Sequence, residues 1–274
     1  MSRVLSRTLV YLSLIVAAIV VVLPLTTLLF ASLKSSHEYA VTTAFTPPSN
    51  WFNLANYSLA FTQGGMLLGF FNTTFILLFS IVGTILLGTA AAYAIDRFQF
   101  RGKGLVLSLF LLAALVPGVT TQVATFQIVN ALGLFDTRWA AIALFVGTDI
   151  IAIYIFLQFM ASIPRSLDEA ARLDGAGHFR IYLQVILPLL RPAIATVVII
   201  KGIAIYNEFY IPFLYMPDPD LGVISTSLFR FTGPYGAHWE ILSAGAIVVI
   251  VPTLVIFLIL QRFIYRGLSA GAVK

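Results

Sequence analysis

The sequence contains no cysteine, few charges and only three histidines among its 274 residues. The lack of cysteine excludes disulfides and thiolate metal sites. Asp, Glu, Lys and Arg together make up 10% of the chain, whereas a soluble domain of this size keeps about a quarter of its residues charged. Because 60% of the residues are hydrophobic, these charges cannot solvate the apolar surface, and the lipid bilayer is the expected solvent.

Groups that would support catalysis do not come together in the sequence. The histidines His37, His178 and His238 lie in three different loops, and the acidic residues do not cluster at one membrane depth, as a membrane enzyme would require. The sequence has no G-x-x-x-x-G-K-S/T loop to cradle a nucleotide. The net charge is +5, but the lysines and arginines do not form a basic patch with interleaved aromatic residues. We therefore expect no nucleic-acid partner.

Long apolar runs dominate what the chain does contain. A membrane-spanning helix needs about 20 apolar residues. Six segments reach that length: Leu9–Ser32, Leu67–Ile95, Gly104–Ala131, Trp139–Ala161, Pro192–Leu214 and Ile241–Gln261. The first run is longer than the apolar core of a secretory signal, so we expect it to be retained. The sequence therefore predicts an all-α membrane protein with six transmembrane helices.

Basic residues indicate how these spans are oriented, because cytoplasmic loops carry an excess of lysine and arginine. The predicted outer side holds Lys34, Arg138 and Arg230, and Lys201 lies within a span. The predicted inner side holds Arg3, Arg7, Arg97, Arg101, Lys103, Arg165, Arg172, Arg180, Arg191, Arg262, Arg266 and Lys274. Both termini are therefore expected in the cytoplasm. The expected segments are a cytoplasmic tail (1–8), a first transmembrane helix (9–33), an external segment (34–66), a transmembrane domain of helices two to six (67–265) with a cytoplasmic loop (162–191), and a cytoplasmic tail (266–274).

The cytoplasmic loop contains an unusually charged stretch, SLDEAARLDGAG. Ser166 and Glu169 match a capping box, which predicts a helix over 167–173, and Asp174 with Gly175 is typical of a helix end. Two turns are too few to be stable alone in water, so something must pack on this helix. Composition leaves two alternatives, a connector on the protein's own inner surface or a docking site for a partner.

A second helix is expected over Gly177–Leu187, ended by Pro188, with Pro192 starting the fifth span. Four apolar residues at helical spacing give it one apolar face: Phe179, Tyr182, Leu183 and Ile186.

The stretch EAARLDGAGHFRIYLQVILP resembles the EAA loop of binding-protein-dependent ABC importer permeases. That loop reads E-A-A, three residues, G, nine residues and I-x-L-P, and here Val185 stands at the isoleucine position. The run NTTFILLFSIVGTILLGTAAAYAIDRF, the segment Tyr206–Pro212 and the ending YRGLSAGAVK are similar to the carbohydrate-uptake branch of this family, which includes the second membrane subunit of the maltose system.

The resemblance implies a type I ABC importer (MetI-like) permease fold in a bacterial or archaeal plasma membrane. It implies three kinds of partner: a second related permease, two cytoplasmic ATPases and an extracytoplasmic solute-binding protein. No cofactor is then expected on this chain, because ATP and Mg bind the ATPases. The residues implied to couple to the ATPases are Glu169, Ala170, Ala171, Asp174, Gly175, Val185, Leu187 and Pro188. For Glu169 two roles stay open, capping its own helix and pairing with the ATPase.

Several polar residues lie inside or beside the apolar spans. They are candidates for lining a translocation path or for helix–helix polar contacts: Asn72, Thr73, Asn130, Asp149, Asn207 and Glu208. Ionisable groups in a membrane are costly unless paired or wet. We expect Glu208 to hold the fifth span in place and Lys201 to snorkel toward the inner face.

The resemblance implies a sugar or oligosaccharide as the solute, and the residues themselves favour a neutral one. A phosphorylated solute would require arginines facing the path, and no span has one in its middle. The alternative is the same scaffold importing another small polar solute, such as glycerol phosphate or a polyamine. A channel acting alone would leave the cytoplasmic motif without a purpose.

Overall fold

The computed structural model describes residues 3–147, 149–233 and 236–272, with side chains throughout except at 3–6, 256, 257 and 259–272. These residues are mostly helical. The helices are α1 (Arg3–Leu33), α2 (Ser36–Val41), α3 (Ala55–Thr62), α4 (Met66–Arg97), α5 (Lys103–Leu115), α6 (Gln122–Ala131), α7 (Arg138–Gly147), α8 (Ile150–Ala161), α9 (Ser166–Leu173), α10 (His178–Ile181), α11 (Leu187–Leu189), α12 (Arg191–Asn207), α13 (Tyr210–Tyr215), α14 (Ile224–Ser227) and α15 (Trp239–Ala272). A π-helical turn (Tyr182–Ile186) and 3-10 turns (Pro219–Leu221 and Leu228–Phe231) connect some of them. An antiparallel pair of short strands, β1 (Thr232–Gly233) and β2 (Gly236–Ala237), precedes α15.

The chain divides into two compact units. The first contains α1 to α3 together with Thr226–Val255. In this unit Asn56 on α3 donates its side-chain amide to the carbonyls of Ser32 and Lys34, at 2.9 and 2.7 Å. Those carbonyls lie at the end of α1, where a helix leaves backbone acceptors unpaired. The contact therefore fixes the start of segment 34–66 against the end of α1.

The second unit runs from Leu68 to Ser225 and includes α15 from Ile256 onward. Its larger buried cluster joins α4, α8, segment 162–191 and α12, and includes Tyr93, Phe156, Met160, Ile181, Ile186 and Leu190. A second cluster includes Ile76, Ala141, Ile142, Phe145, Ile205 and Met216. Two glycines on α4 allow close packing, since a Cβ would lie 2.7 Å from Val146 at Gly83 and 3.0 Å from Phe156 at Gly88.

Two described helices are long and apolar enough to cross a membrane, within Arg7–Leu33 and Met66–Arg97. The number of candidate spans rises to four if each of two bent helix pairs, which lie within 138–161 and 178–207, is counted as one span. The two long helices correspond to the first and second predicted spans. The prediction of a continuous third span is wrong, because Val116 is extended and separates α5 from α6. The cause is Pro117, since a proline disfavours the helical conformation in the residue before it.

The fourth and fifth predicted spans are also interrupted. Asp149 lies between α7 and α8, and Glu208, with an extended backbone, ends α12 before α13 begins. A separate bend of 70° lies between His178–Leu189 and Arg191–Asn207, just before the fifth predicted span begins. Each of these two predicted spans is therefore a pair of helices, and the chain breaks where an acidic side chain binds free backbone N–H groups.

The two predicted tails are helical as far as they are described. Helix α1 begins at Arg3 and α15 continues to Ala272, past the predicted end of the sixth span at Gln261. The remaining residues of these tails, 1, 2, 273 and 274, lie outside the described part of the chain.

Candidate functional site

Helix α9 begins one residue earlier than the sequence predicts. Arg165 occupies the cap position with helical φ and ψ of −68° and −21°, and no side chain caps the helix. The N–H of Leu167 is bonded to the carbonyl of Pro164 at 3.3 Å, and that of Glu169 to Arg165 at 3.1 Å. The predicted capping box is wrong, because a capping serine needs an extended backbone and Ser166 is already helical. Glu169 is exposed and free of this role.

The end of α9 forms as predicted. Gly175 has a positive φ of 79°, and its N–H bonds the Arg172 carbonyl at 2.9 Å. The N–H of Ala176 bonds the Ala171 carbonyl, also at 2.9 Å. Together these two bonds are a Schellman motif, which satisfies carbonyls that the helix end would otherwise leave free. Glycine is needed for its φ, since a Cβ here would meet open space.

Asp168, which the sequence marks only as a first-turn acid, is the buried residue of α9. Its Oδ2 lies 3.2 Å from Nε of Arg97 at the end of α4. The same guanidinium contacts Asp96 Oδ2 at 2.8 Å through Nη1 and donates to the Ile163 carbonyl at 3.0 Å through Nη2. Arg165 in turn donates to the Asp96 carbonyl at 2.9 Å. These charged groups fix the start of α9 to the end of α4.

The second half of segment 162–191 is held by the same helix. The hydroxyls of Thr89 and Tyr182 lie 2.7 Å apart, and Tyr93 donates to the carbonyl of His178 at 3.4 Å. The Tyr93 and Tyr182 rings pack with centroids 5.3 Å apart, and Phe98 contacts the His178 ring at 4.9 Å. The C-terminal half of α4 and the residue that follows it therefore contact both halves of the segment.

The second predicted helix of this segment is divided. Helix α10 ends at Ile181, a π-helical turn follows, and Pro188 lies inside α11 and does not end the helix. Proline has no N–H to bond the carbonyl four residues earlier, which favours a wider turn at this point. Of the predicted apolar face, Tyr182 and Ile186 are buried, whereas Phe179 and Leu183 are exposed.

The residues implied to couple to ATPases divide between two faces. Ala171 and Val185 pack on the larger buried cluster, and Leu187 is half-buried. The exposed members are Glu169, Ala170, Asp174, Gly175 and Pro188. Two large apolar side chains next to them, Leu173 and Phe179, are 90% and 75% exposed. One face of α9 is thus fixed to α4, whereas the exposed surface of α9 and of the residues up to Phe179 presents two acids, small residues and uncovered apolar side chains.

At the other end of α4, Asn72 and Thr73 are buried and hold a loop. The Asn72 amide donates to the carbonyls of Asp220 and Gly222 at 2.9 and 2.8 Å, and accepts from Arg138 Nε at 2.7 Å. Thr73 Oγ1 accepts from the N–H of Ile224 at 2.9 Å. These bonds account for both polar side chains as structural contacts, and a role in lining a path stays a prediction.

Asp149 and Lys201 form an ion pair with 2.9 Å between Oδ2 and Nζ. Asp149 Oδ1 also accepts from the N–H of Ala152, so this residue caps α8. Lys201 donates to the carbonyl of Phe145 at 2.8 Å. The prediction that Lys201 snorkels to the inner face is wrong, because a carboxylate lies within reach in the neighbouring helices. The sequence signal was present, since Asp149 is the single charge of the fourth predicted span and Lys201 is the single cation of the fifth.

The other polar candidates lie apart from this pair. Glu208 Oε1 accepts from the N–H groups of Tyr210 and Ile211 at 2.8 and 3.2 Å, so it caps α13. Asn207 is exposed and donates to the carbonyl of Ile203 in its own helix at 2.8 Å. Asn130 is exposed on α6. The structure thus does not gather the six candidates into one polar site.

Comparisons with known proteins identify the class of this chain. It belongs to the family described as binding-protein-dependent transport system inner membrane component, whose model matches residues 2–270.

Relatives with similar sequences include permease proteins named for oligosaccharide transport. The chain is 30% identical over 261 residues to the arabinooligosaccharides transport system permease protein AraQ of Halalkalibacterium halodurans, covering 94% of this chain and 92% of the relative. It is 31% identical over 256 residues to the melibiose/raffinose/stachyose import permease protein MelC of Bacillus subtilis, covering 92% and 91%. A bacterial ABC transporter involved in the import of the acidic polysaccharide alginate shares the fold, with a TM-score of 0.83 and 19% identity over 96% of this chain and 98% of that one.

Proposed function

We propose that this chain is a membrane-spanning permease subunit of an ABC importer for a sugar or oligosaccharide. The support is its family together with relatives named for arabinooligosaccharides and for melibiose, raffinose and stachyose. In this proposal the chain crosses a bacterial or archaeal plasma membrane six times, with both termini in the cytoplasm. The interrupted helices then act as broken spans, which membranes tolerate where irregular backbone is buried in protein or lines a cavity.

The main support for ATP coupling is the exposed apolar surface at the end of α9 and the start of α10. Leu173 and Phe179 are 90% and 75% exposed, although the charge asymmetry predicts this segment in water. A two-turn helix is not stable alone and needs packing on a partner or on its own protein. Its own protein already supplies one face through Asp168. We propose that a cleft on a cytoplasmic ATPase covers the other face and that Glu169 pairs there with a basic group.

The proposed complex contains two such permeases, two ATPases and an extracytoplasmic solute-binding protein. ATP and Mg bind the ATPases, because this chain lacks a nucleotide-cradling loop. Closure of the ATPases moves α9, and the spans follow as a rigid-body change that alternates access to the two sides. This chain is thus a transport subunit, and its partners perform the hydrolysis.

The charges of the second unit favour a neutral solute over a phosphorylated one. Lys201 is paired with Asp149, and Arg138 donates to Asn72 and lies over the ring of Phe71. These cations are therefore engaged within the protein. The exposed amides of Asn130 and Asn207 can both donate and accept hydrogen bonds, as recognition of sugar hydroxyls requires.

Replacing Glu169 with arginine tests the proposed function. The chain is reconstituted in proteoliposomes with its second permease, ATPases and binding protein, and uptake of radiolabelled oligosaccharides is measured. We expect E169R to insert and fold normally but to abolish ATP-dependent uptake, because a cation replaces the acid that faces the ATPase. The control R101E reverses an exposed charge on the same predicted side. Normal uptake by E169R would contradict the docking role, and uptake of glycerol phosphate or a polyamine by the wild-type complex would support the alternative solutes.

A further inference from the structure

The end of α4 and the start of α9 share one buried charged cluster, formed by Asp96, Arg97 and Asp168. The Arg97 and Asp168 side chains are 5% and 7% exposed, and that of Asp96 is 18% exposed. Each of the three guanidinium nitrogens of Arg97 faces an oxygen: Asp96 Oδ2, Asp168 Oδ2 or the Ile163 carbonyl. A single side chain therefore connects α4 to the segment that leads into α9 and to α9 itself.

Asp168 depends on this one partner. Among the described residues neither of its carboxylate oxygens receives a hydrogen bond of good geometry, and Arg97 Nε at 3.2 Å is its ion-pair contact. A buried carboxylate without a compensating charge is strongly destabilising. The pair therefore keeps α9 in contact with α4. Arg97 is less dependent on Asp168, since it also binds Asp96.

Helix α4 extends from this cluster to a second polar contact. Asn72 lies near its opposite end and binds the carbonyls of Asp220 and Gly222. At about 1.5 Å of rise per residue, the helix places Asn72 about 37 Å from Arg97. Both ends of α4 are thus fixed by buried polar bonds, one to α9 and the other to the loop between α13 and α14. A continuous helix fixed at both ends transmits displacement along its axis.

We infer that the Arg97–Asp168 pair is a positioning device that makes α9 and α4 move as one body, so that displacement of α9 by the ATPase reaches the Asn72 contact at the far end of α4. This inference rests on the proposed function, because it assumes that an ATPase moves α9. It assigns coupling roles to Arg97 and Asp168, which act through α9 and not by touching the ATPase. Glu169 receives the movement, and the Arg97–Asp168 pair passes it to a membrane-spanning helix.

The ratio of solute imported to ATP hydrolysed tests the inference in the reconstituted complex. Substituting a residue that carries coupling changes the coupling free energy by about 0.5–2 kcal/mol, which corresponds to a change of about 2- to 30-fold. We expect D168N and R97Q to lower the ratio within that range while binding-protein-stimulated hydrolysis continues, and the reversed pair R97D/D168R to restore it. The matched control R101Q removes an exposed arginine just beyond α4 and should leave the ratio unchanged. A ratio unchanged in D168N and R97Q, or not restored by the reversed pair, would overturn the inference.

A distance measurement on the assembled complex covers the case in which these variants fail to assemble. Spin labels at Leu173, at the end of α9, and at Arg101, just beyond α4, report the separation of the two elements. We expect the same distance distribution without nucleotide and with ATP bound, because the pair joins the elements into one body. A shift between the two states would overturn the inference even if transport is normal. If the wild-type complex shows no binding-protein-dependent uptake, the proposed function itself fails, which is a different outcome.

Discussion

Removing either member of the Asp149–Lys201 pair should destabilise the protein, and by unequal amounts. Asp149 and Lys201 are 12% and 16% exposed, and their charged atoms lie 2.9 Å apart. Breaking a buried ion pair by removing one partner costs about 3–5 kcal/mol, since the remaining charge is left without compensation. That range is the starting point for both single variants.

The surroundings of the pair make the two variants differ. In K201M the Asp149 carboxylate keeps its bond from the N–H of Ala152, at the positive end of α8. That end stabilises an anion by up to about 2 kcal/mol when partly buried, so we expect K201M to cost about 1–3 kcal/mol. In D149N the asparagine still caps α8. However, the ammonium then faces a positive helix end with the Phe145 carbonyl as its remaining hydrogen-bond acceptor among the described residues, so we expect the full cost of about 3–5 kcal/mol.

Unfolding of the purified chain from mixed micelles by added SDS measures these free energies. The double variant D149N/K201M should be more stable than D149N alone, because it leaves no uncompensated charge. The control R101M removes an exposed charge and should change the free energy of unfolding by less than about 0.5 kcal/mol. A larger cost for K201M than for D149N, or a double variant whose cost equals the sum of the two singles, would refute the reasoning.

Two further predictions concern local structure. The substitution Gly175→Ala forces a side chain into the left-handed region and should cost about 1–2 kcal/mol, measured by the same unfolding assay. Gly177→Ala is the matched control because its φ is −73° and its Cβ position is open, and equal costs for both would contradict the argument. In segment 34–66, the hydrogen bond from the backbone N–H of Ser49 lowers the pKa of Glu38 below its ordinary value of 4.5. Because the ionised Glu38 accepts this bond, it stabilises the local fold at pH values above 4.5. Protection of the Ser49 amide from hydrogen exchange should therefore be lost as the pH falls through the lowered pKa of Glu38. The variant E38Q should lack this pH dependence, and protection that falls between pH values well above 4.5 would be inconsistent with it.

Local sequence signals were sufficient wherever the structure depends on neighbours in the chain. The apolar runs predicted the ends of α1 and α4 to within six residues, because a membrane-spanning helix is recognised from length and composition alone. The end of α9 was predicted correctly, since a Schellman motif involves residues adjacent in sequence and a glycine that tolerates positive φ.

Local signals failed where a backbone choice depends on the surrounding fold. Ser166 and Glu169 fit a capping box, yet the turn at Pro164 continues into the helix and leaves Ser166 without the extended backbone that a cap needs. The apolar spacing from Phe179 to Ile186 assumes 3.6 residues per turn, and the π-helical turn shifts its phase, which leaves Phe179 exposed. Apolar composition likewise could not show that Asp149 and Glu208 cap new helices within predicted spans.

The sequence by itself determined that this protein is helical, bound to a membrane and marked by an EAA loop, because composition, periodicity and a contiguous motif are properties of the chain alone. Only the tertiary structure decided which charges meet. It paired Arg97 with Asp168, and Asp149 with Lys201, across long stretches of chain. An isolated charge in an apolar span must find a partner, but packing chooses which one comes within about 3 Å. For that reason Asp168 lies buried on the face of α9 that contacts α4, and Glu169 is exposed.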